Sequence, residues 1–497
     1  MLRWLYSMRA RRFLCLSVGL AAVMCAACSL LWRMAHDTPV MLYLSGMMVN
    51  RGAVPYRDFF DMNLPGSYWV YGLAVKVLGT SDVAAHVANA LVVFAVGALL
   101  FCACRGPCRL YALFGIGLAS LRVFSGQWAF VLQRELVALV PVSALLALGL
   151  RGGAPDARKG VAAGLLLAWL ALIKPPFLLY GAPPLFLLAA ACQGRGGRFR
   201  LLAVVGGSFC VPLLLCAAWL VGSGAWPFFL EAVRYWGLYG QMTPDLEFVL
   251  PHEKAIRTAC GVGKMLVSPY ALMAVLGLAV IWRKRLFARN ARVAFAAMFL
   301  LTVVVPAVSG QFWAYHRLPF NYFSLFLGGF LLSASGALVS CACVLTAVFW
   351  ICFAGFRTYQ VAVATSAVAL YSHGVPDRFA AYLAAHADPG DRAQPVDWAY
   401  GALHGMLIAN VPLATRFPYT FCFLHNVRHP LTQKIRGEFL KSLDEGKPRF
   451  LLECTSARRP SGIDTEPRFQ AFEDWRDAHY RVAEEGGHYR IWELAPQ

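Results

Sequence analysis

Acidic side chains are scarce in this chain. Its 497 residues include 26 Asp and Glu against 45 Lys and Arg, and charged residues make up only 14%. Ordinary soluble domains carry ~25%. A chain this poor in charge and this rich in apolar residues cannot cover a soluble surface, and it is too hydrophobic to be disordered. Asn-x-Ser/Thr sequons are missing altogether, which fits a bacterial cytoplasmic membrane better than an ER membrane. Of the 15 cysteines, Cys102, Cys104 and Cys108 lack a second ligand pair, which excludes a structural zinc site. Most of the others lie in apolar runs, where Cys acts as a small hydrophobe. A Cys422–Cys454 disulfide is left open.

What the chain does have is hydrophobicity: 59% of its residues and a mean hydropathy of +0.57. It reads as a polytopic α-helical membrane protein. The formal net charge is +19; residues 1–356 hold 29 Lys and Arg with 10 Asp and Glu, and the remainder holds 16 of each. The excess charge therefore belongs to the membrane part, which argues for topology and against nucleic-acid binding.

About 20 apolar residues span a bilayer as a helix. Phe13–Trp32 is the first such stretch, read as an anchor with a cytoplasmic N-terminus because Arg3, Arg9, Arg11 and Arg12 precede it. Further spans fall at about 83–104, 110–126, 136–150, 161–173, 176–192, 201–222, 265–282, 293–309, 321–334 and 336–355, making 11 in all. The five inner loops then carry 17 Lys and Arg and one acid, Asp156, while the rest of residues 1–356 carries 12 and nine. This satisfies the positive-inside rule. It also places nine of ten acids on one face: Asp37, Asp58, Asp61, Asp82, Glu135, Glu231, Asp245, Glu247 and Glu253. A transporter more often carries its acids inside spans near the midplane. Acids gathered at one surface point to chemistry at the outer water–lipid boundary.

Two outer loops are long, 33–82 and 223–264, and mix aromatics with charges in the manner of interfacial amphipathic helices. From residue 375 the composition changes. Val375–Ala387 and Leu431–Asp444 read as helices, and Pro395–Trp398 and Arg449–Cys454 as short strands. Tyr480–Ala483 and Tyr489–Leu494 flank a Glu-Glu-Gly-Gly hairpin signal. The expected organisation is a transmembrane domain over 1–356, a connector over 357–374, and a small soluble α/β domain over 375–497 on the outer face.

Asp37 follows the first span closely. Beyond it the chain reads Gly52-Ala-Val-Pro-Tyr-Arg57-Asp58-Phe-Phe-Asp61, then Pro65-Gly66-Ser-Tyr68, and the following apolar helix ends in Leu78-Gly79-Thr-Ser81. This succession resembles the first outer loop of GT-C glycosyltransferases, the polyprenyl-phosphate-sugar-dependent membrane enzymes that include protein O-mannosyltransferases and the lipid A aminoarabinose transferase. Leu172-Ile-Lys174-Pro175 resembles that family's Leu-Thr-Lys-Gly turn. Phe228-Phe-Leu-Glu231-Ala-Val-Arg234-Tyr235 resembles the start of its second outer loop, and Trp313-Ala-Tyr-His316-Arg317-Leu-Pro319 an outer loop of bacterial members.

The resemblance implies a GT-C-like fold and transfer of a sugar, with inversion, from a polyprenyl-phosphate donor to a glycan, lipid or protein hydroxyl at the outer face. Such transfer needs a base for the acceptor hydroxyl and cations or a metal for the departing phosphate. The resemblance makes Asp37 the base. It gives Lys174 the donor phosphate, with Arg57 and Arg317 as further phosphate ligands. Arg57 also stands next to Asp58 and near Asp61, so ion pairing is an equal reading. Glu231 and His316 are candidates for substrate contact, His316 as acid, ligand or orienting group, with a structural role as the alternative. Asp58 and Asp61, at i and i+3, are spaced to share a divalent cation such as Mg or Mn on one helical turn, or to form a hydrated, Arg-paired cluster.

Two departures stand out. The second acid that many members carry after the loop aspartate is Thr38 here, and the lysine of the aminoarabinose transferases is missing from Met62–Gly66. The donor sugar, aminoarabinose in particular, is therefore left open. Two competing readings are a transporter of lipid-linked sugars or small solutes, and a scaffold subunit whose outer domain binds a partner.

Overall fold

The computed structural model describes residues 7–125, 130–153, 155–334, 337–363, 374–397 and 401–496. Arg3, Trp398 and residues 364–373 of the expected connector lie outside them. The chain is mostly helical, and it divides into two compact units.

The first unit comprises Met1–Trp32, His86–Cys216 and Arg257–Val363. Each of the eleven apolar stretches carries helix. Among the described residues, five helices are long and apolar enough to cross a membrane: Met8–Ser29, Asp82–Ala103, Gly194–Gly222, Arg289–Ser309 and Val339–Val361. The pair Pro251–Leu266 and Pro269–Arg283, bent by 55°, makes a sixth if it counts as one span. The remaining stretches are shorter. Prolines explain part of this: Pro175 and Pro176 turn the chain into a 3-10 segment, Pro175–Gly181, before helix resumes at Ala182–Ala190. Helices in this unit approach closely where glycine allows it. A Cβ on Gly115 would stand 2.5 Å from the Phe326 carbonyl, and one on Gly329 would stand 2.5 Å from the Tyr111 carbonyl. Small residues at such crossings are how membrane helices gain packing without a hydrophobic driving force.

The second unit comprises Arg33–Ala85, Ala217–Ile256 and Ala364–Gln497. The first long loop, 33–82, and most of the second, 223–264, thus pack with the C-terminal segment. The loops are helical at Asp37–Arg51, Pro65–Leu78, Trp226–Tyr239 and the start of Pro251–Leu266. Their aromatics enter a shared core: Phe60 and Tyr235 are buried with Phe417, Phe423, Phe439, Leu451 and Trp492.

The C-terminal segment carries a four-stranded sheet of β2 (Ala393–Pro395), β3 (Phe450–Glu453), β5 (Tyr480–Gly486) and β6 (Tyr489–Leu494), in the order β2-β3-β6-β5. β2 runs parallel to β3, and the other pairs are antiparallel. Leu451 lies opposite Trp492 and Leu452 opposite Ile491, which puts the apolar positions of the pair in register. A short parallel pair, β1 (Glu247–Phe248) with β4 (Ser461–Gly462), ties the second loop to this segment. Helices Val375–His386 and Pro430–Gly446 match the sequence reading within a residue or two. Helices Ala402–Ala409 and Gln470–His479 were not read from the sequence. Cys422 and Cys454 are not joined in a disulfide.

Candidate functional site

In the second unit, Asp37 is the first residue of the helix Asp37–Arg51, which Gly52 closes in a left-handed conformation. The helix dipole favours negative charge there. Before it, His36 holds φ +62, a conformation uncommon for residues other than glycine and found where surrounding structure enforces it. His36 Nδ1 lies 2.9 Å from Asp37 Oδ1, and the two side chains are 30% and 28% exposed. Arg33, four residues upstream, makes its ion pairs with Asp82 and Asp377.

The other loop carboxylates are committed to partners. Asp58 accepts from Arg57 Nε and Nη2 at 2.8 and 2.9 Å and from the Val54 amide at 2.7 Å. The Arg57 hydrogen bonds hold its carboxyl below the usual range. Arg57 also donates to the Ser223 carbonyl, so its pairing reading is the one the geometry shows. Asp61 is buried and accepts from the Tyr68 hydroxyl at 2.5 Å, the Tyr419 hydroxyl at 2.7 Å and the Asn63 amide at 2.6 Å. Burial and the Asp61 charge push both phenols well up, so they remain donors.

The two carboxylates therefore have separate partner sets. Among the described residues no group of three or more His, Cys, Asp or Glu is placed to hold a metal ion. The Asp58–Asp61 pair does not fit a divalent cation.

Glu231 is buried and bonded to Arg416 and, at 2.5 Å, to Lys434. Burial pushes its carboxyl up, but these hydrogen bonds outweigh that and hold it below its usual value. Arg416 further bonds Glu438 at 2.6 Å and lies over the rings of Phe60, Phe228 and Phe417. Glu231 is thus a strut that fixes the second loop to the C-terminal segment.

In the first unit, three loops bring Lys174, Glu135 and His316 together. Lys174 ends the helix Ala157–Ile173 in an extended conformation because Pro175 follows it. Glu135 is the second residue of a short helix, Arg134–Val137, after Leu132 at φ +47; the Leu132 amide is held by the buried Asn89 side chain at 2.8 Å. His316 lies on a 3-10 turn, Ala314–Arg317, after a left-handed Gly310 ends the preceding helix. Lys174 Nζ stands 3.0 Å from Glu135 Oε1 and 3.3 Å from His316 Nε2, and His316 Nε2 stands 3.6 Å from the same Glu135 oxygen. In its neutral tautomer with the proton on Nδ1, His316 Nε2 accepts a hydrogen bond from the Lys174 ammonium. Lys174 is 22% exposed, Glu135 1% and His316 5%.

Arg317 follows on the same turn and is exposed, though partly desolvated. Among the described residues it forms no ion pair; burial and the like charge of Arg122 lower its pKa. Arg122 is anchored by Tyr270 at 2.7 Å. Two arginines near enough for their like charges to act on each other suit an anion.

Neither His36 nor Glu135 nor Arg122 stood out as a site residue in the sequence. For Glu135 the signal was an acid at the edge of an apolar run, and for Arg122 a cation near the end of an apolar stretch.

These features belong to a known architecture. The fold is similar to that of solved GT-C structures. The solved structure of ArnT from Cupriavidus metallidurans bound to undecaprenyl phosphate matches with a TM-score of 0.62 at 14% identity, over 97% of this chain and 99% of that one. Looser likenesses are the arabinofuranosyltransferase AftD from Mycobacteria (TM-score 0.46, 13% identity, 99% of this chain and 40% of that one) and the archaeal oligosaccharyltransferase AglB from Archaeoglobus fulgidus (0.46, 11%, 98% and 75%). No protein-family profile and no curated protein matches the sequence.

Proposed function

We propose that this multi-pass membrane protein is a glycosyltransferase that moves a sugar from a polyprenyl-phosphate donor to an acceptor hydroxyl at the outer membrane face, with inversion. The observation that carries the reading is the accessibility of Asp37. It is a partly exposed carboxylate at a helix N-terminus, while Asp61, Glu135 and Glu231 are buried against partners.

In this reading the acceptor oxygen attacks the anomeric carbon as the bond from that carbon to the phosphate oxygen breaks. The acceptor proton passes to Asp37, and the electron pair leaves with the polyprenyl phosphate. Arg317, with Arg122 beside it, takes the donor phosphate as its charge grows. Lys174 joins them with part of its charge already balanced by Glu135. His36 orients the Asp37 carboxylate. The setting proposed is the bacterial cytoplasmic membrane, with an inner N-terminus and residues 375–497 outside, near the acceptor.

Asp37→Asn tests this. In liposomes with a labelled lipid donor, the variant is expected to insert and fold while losing transfer by a factor of ~100 or more. Substantial residual transfer would remove Asp37 as the base.

A further inference from the structure

The neighbourhood of Lys174 holds more polar groups than the protein itself satisfies. Among the described residues, neither atom of the Gln133 side-chain amide has a hydrogen-bond partner, nor does Glu135 Oε2, nor the Tyr180 hydroxyl. These side chains are 0%, 1% and 1% exposed. Buried polar atoms are nearly always paired, and an unpaired one carries its full desolvation cost, so three neighbouring side chains left this way call for a partner.

They are neighbours by construction. Gln133 immediately precedes the short helix whose second residue is Glu135. Tyr180 lies on the 3-10 segment that Lys174 opens and is close enough to feel the charge of Glu135. Its ring stacks on Phe177, over which the Lys174 ammonium lies at 5.6 Å. Lys174 joins the two segments through Glu135 Oε1.

The unused valences describe the missing group. The amide offers two donors and an acceptor, the phenol one of each, and the carboxylate oxygen only accepts. A polyprenyl tail satisfies none of these. A phosphate only accepts and would meet the Glu135 oxygen as a like charge. Hydroxyls both donate and accept, and the Lys174–Glu135 pair is already neutral as a whole. We infer that Gln133, Glu135 and Tyr180 form a subsite for the hydroxyls of an uncharged sugar. This rests on the donor reading above, since that sugar is the one carried by the lipid phosphate.

Equilibrium binding to the full chain in nanodiscs tests it, with undecaprenyl phosphate, a panel of its neutral hexosyl and pentosyl esters, and a uronosyl ester as probes. The wild type is expected to bind at least one neutral ester more tightly than the bare carrier. Tyr180→Phe and Gln133→Leu, checked as folded by thermal unfolding, should each erode that gain by about three- to tenfold and leave bare-carrier binding unchanged. The inference is overturned if no neutral ester gains over the carrier, if both variants keep the gain, or if the uronosyl ester binds most tightly. If no lipid of the panel binds the wild type, bare carrier included, the donor reading itself falls and this inference with it.

Discussion

Lys174 is tied to a fully buried carboxylate, so its removal has two effects that mutagenesis can separate. Lys174→Met strands the Glu135 charge in the interior, which costs about 3–5 kcal/mol. Adding Glu135→Gln removes that charge and should restore most of the melting temperature. If Lys174 also contacts the donor phosphate, carrier affinity stays weak in the double variant. Recovery of both would make the lysine structural only.

His425 offers a residue-level test of the second unit. It is buried, stacked on Phe248 at 4.2 Å and 2.7 Å from the Tyr235 hydroxyl, and burial holds its imidazole down at about 3 from an ordinary 6.5. Its folded pKa is depressed, so the unfolded chain takes up the proton first. Stability is therefore full above pH 6.5 and falls as pH drops toward 3. Glu231, also depressed, adds a loss that sets in only below its ordinary 4.5. The melting temperature should decline between pH 6.5 and 5, and His425→Gln should flatten that decline. An unchanged slope would show that His425 is not buried as a neutral ring.

Among the elements, one arginine joins three parts of the sequence. Arg416 bonds Glu231 of the second loop, donates to the Tyr56 carbonyl of the first at 3.2 Å, and bonds Glu438 of the helix Pro430–Gly446. Arg416→Met should cost about 3 kcal/mol, because it leaves buried Glu231 half-paired. Lys434→Met should cost under about 1 kcal/mol, because Lys434 is 57% exposed and solvent screens its pair. Thermal unfolding of the two variants checks the ranking, and equal losses would contradict the strut.

The helices themselves were legible because hydrophobic runs and prolines act locally: the ends of Pro430–Gly446 and the β5–β6 hairpin follow from nearby residues. The ladder β2–β3 joins segments more than fifty residues apart, and no local pattern announces such a pairing. For the same reason the Asp58–Asp61 spacing left a shared cation and an ion-paired cluster both open, while one of the three hydrogen-bond donors to Asp61, Tyr419, lies 358 positions away. Glu135 was visible only as an outer acid, since its meaning depends on Lys174 and His316, which arrive from other loops.

For the whole molecule, the charge imbalance in the sequence points to an orientation, and the fold resembles that of the GT-C structures. The two long loops associate with the C-terminal segment into a single unit, so truncation after residue 374 should expose Phe60 and Tyr235 rather than leave an intact membrane enzyme. The central claim is that the chain handles a sugar on a polyprenyl phosphate. Mass spectrometry of the lipids that remain bound after gentle purification addresses it most directly. The account predicts a near-stoichiometric polyprenyl phosphate, with or without one sugar, whose mass names the donor. Bulk phospholipids alone, in a preparation that retains its native lipids, would contradict it.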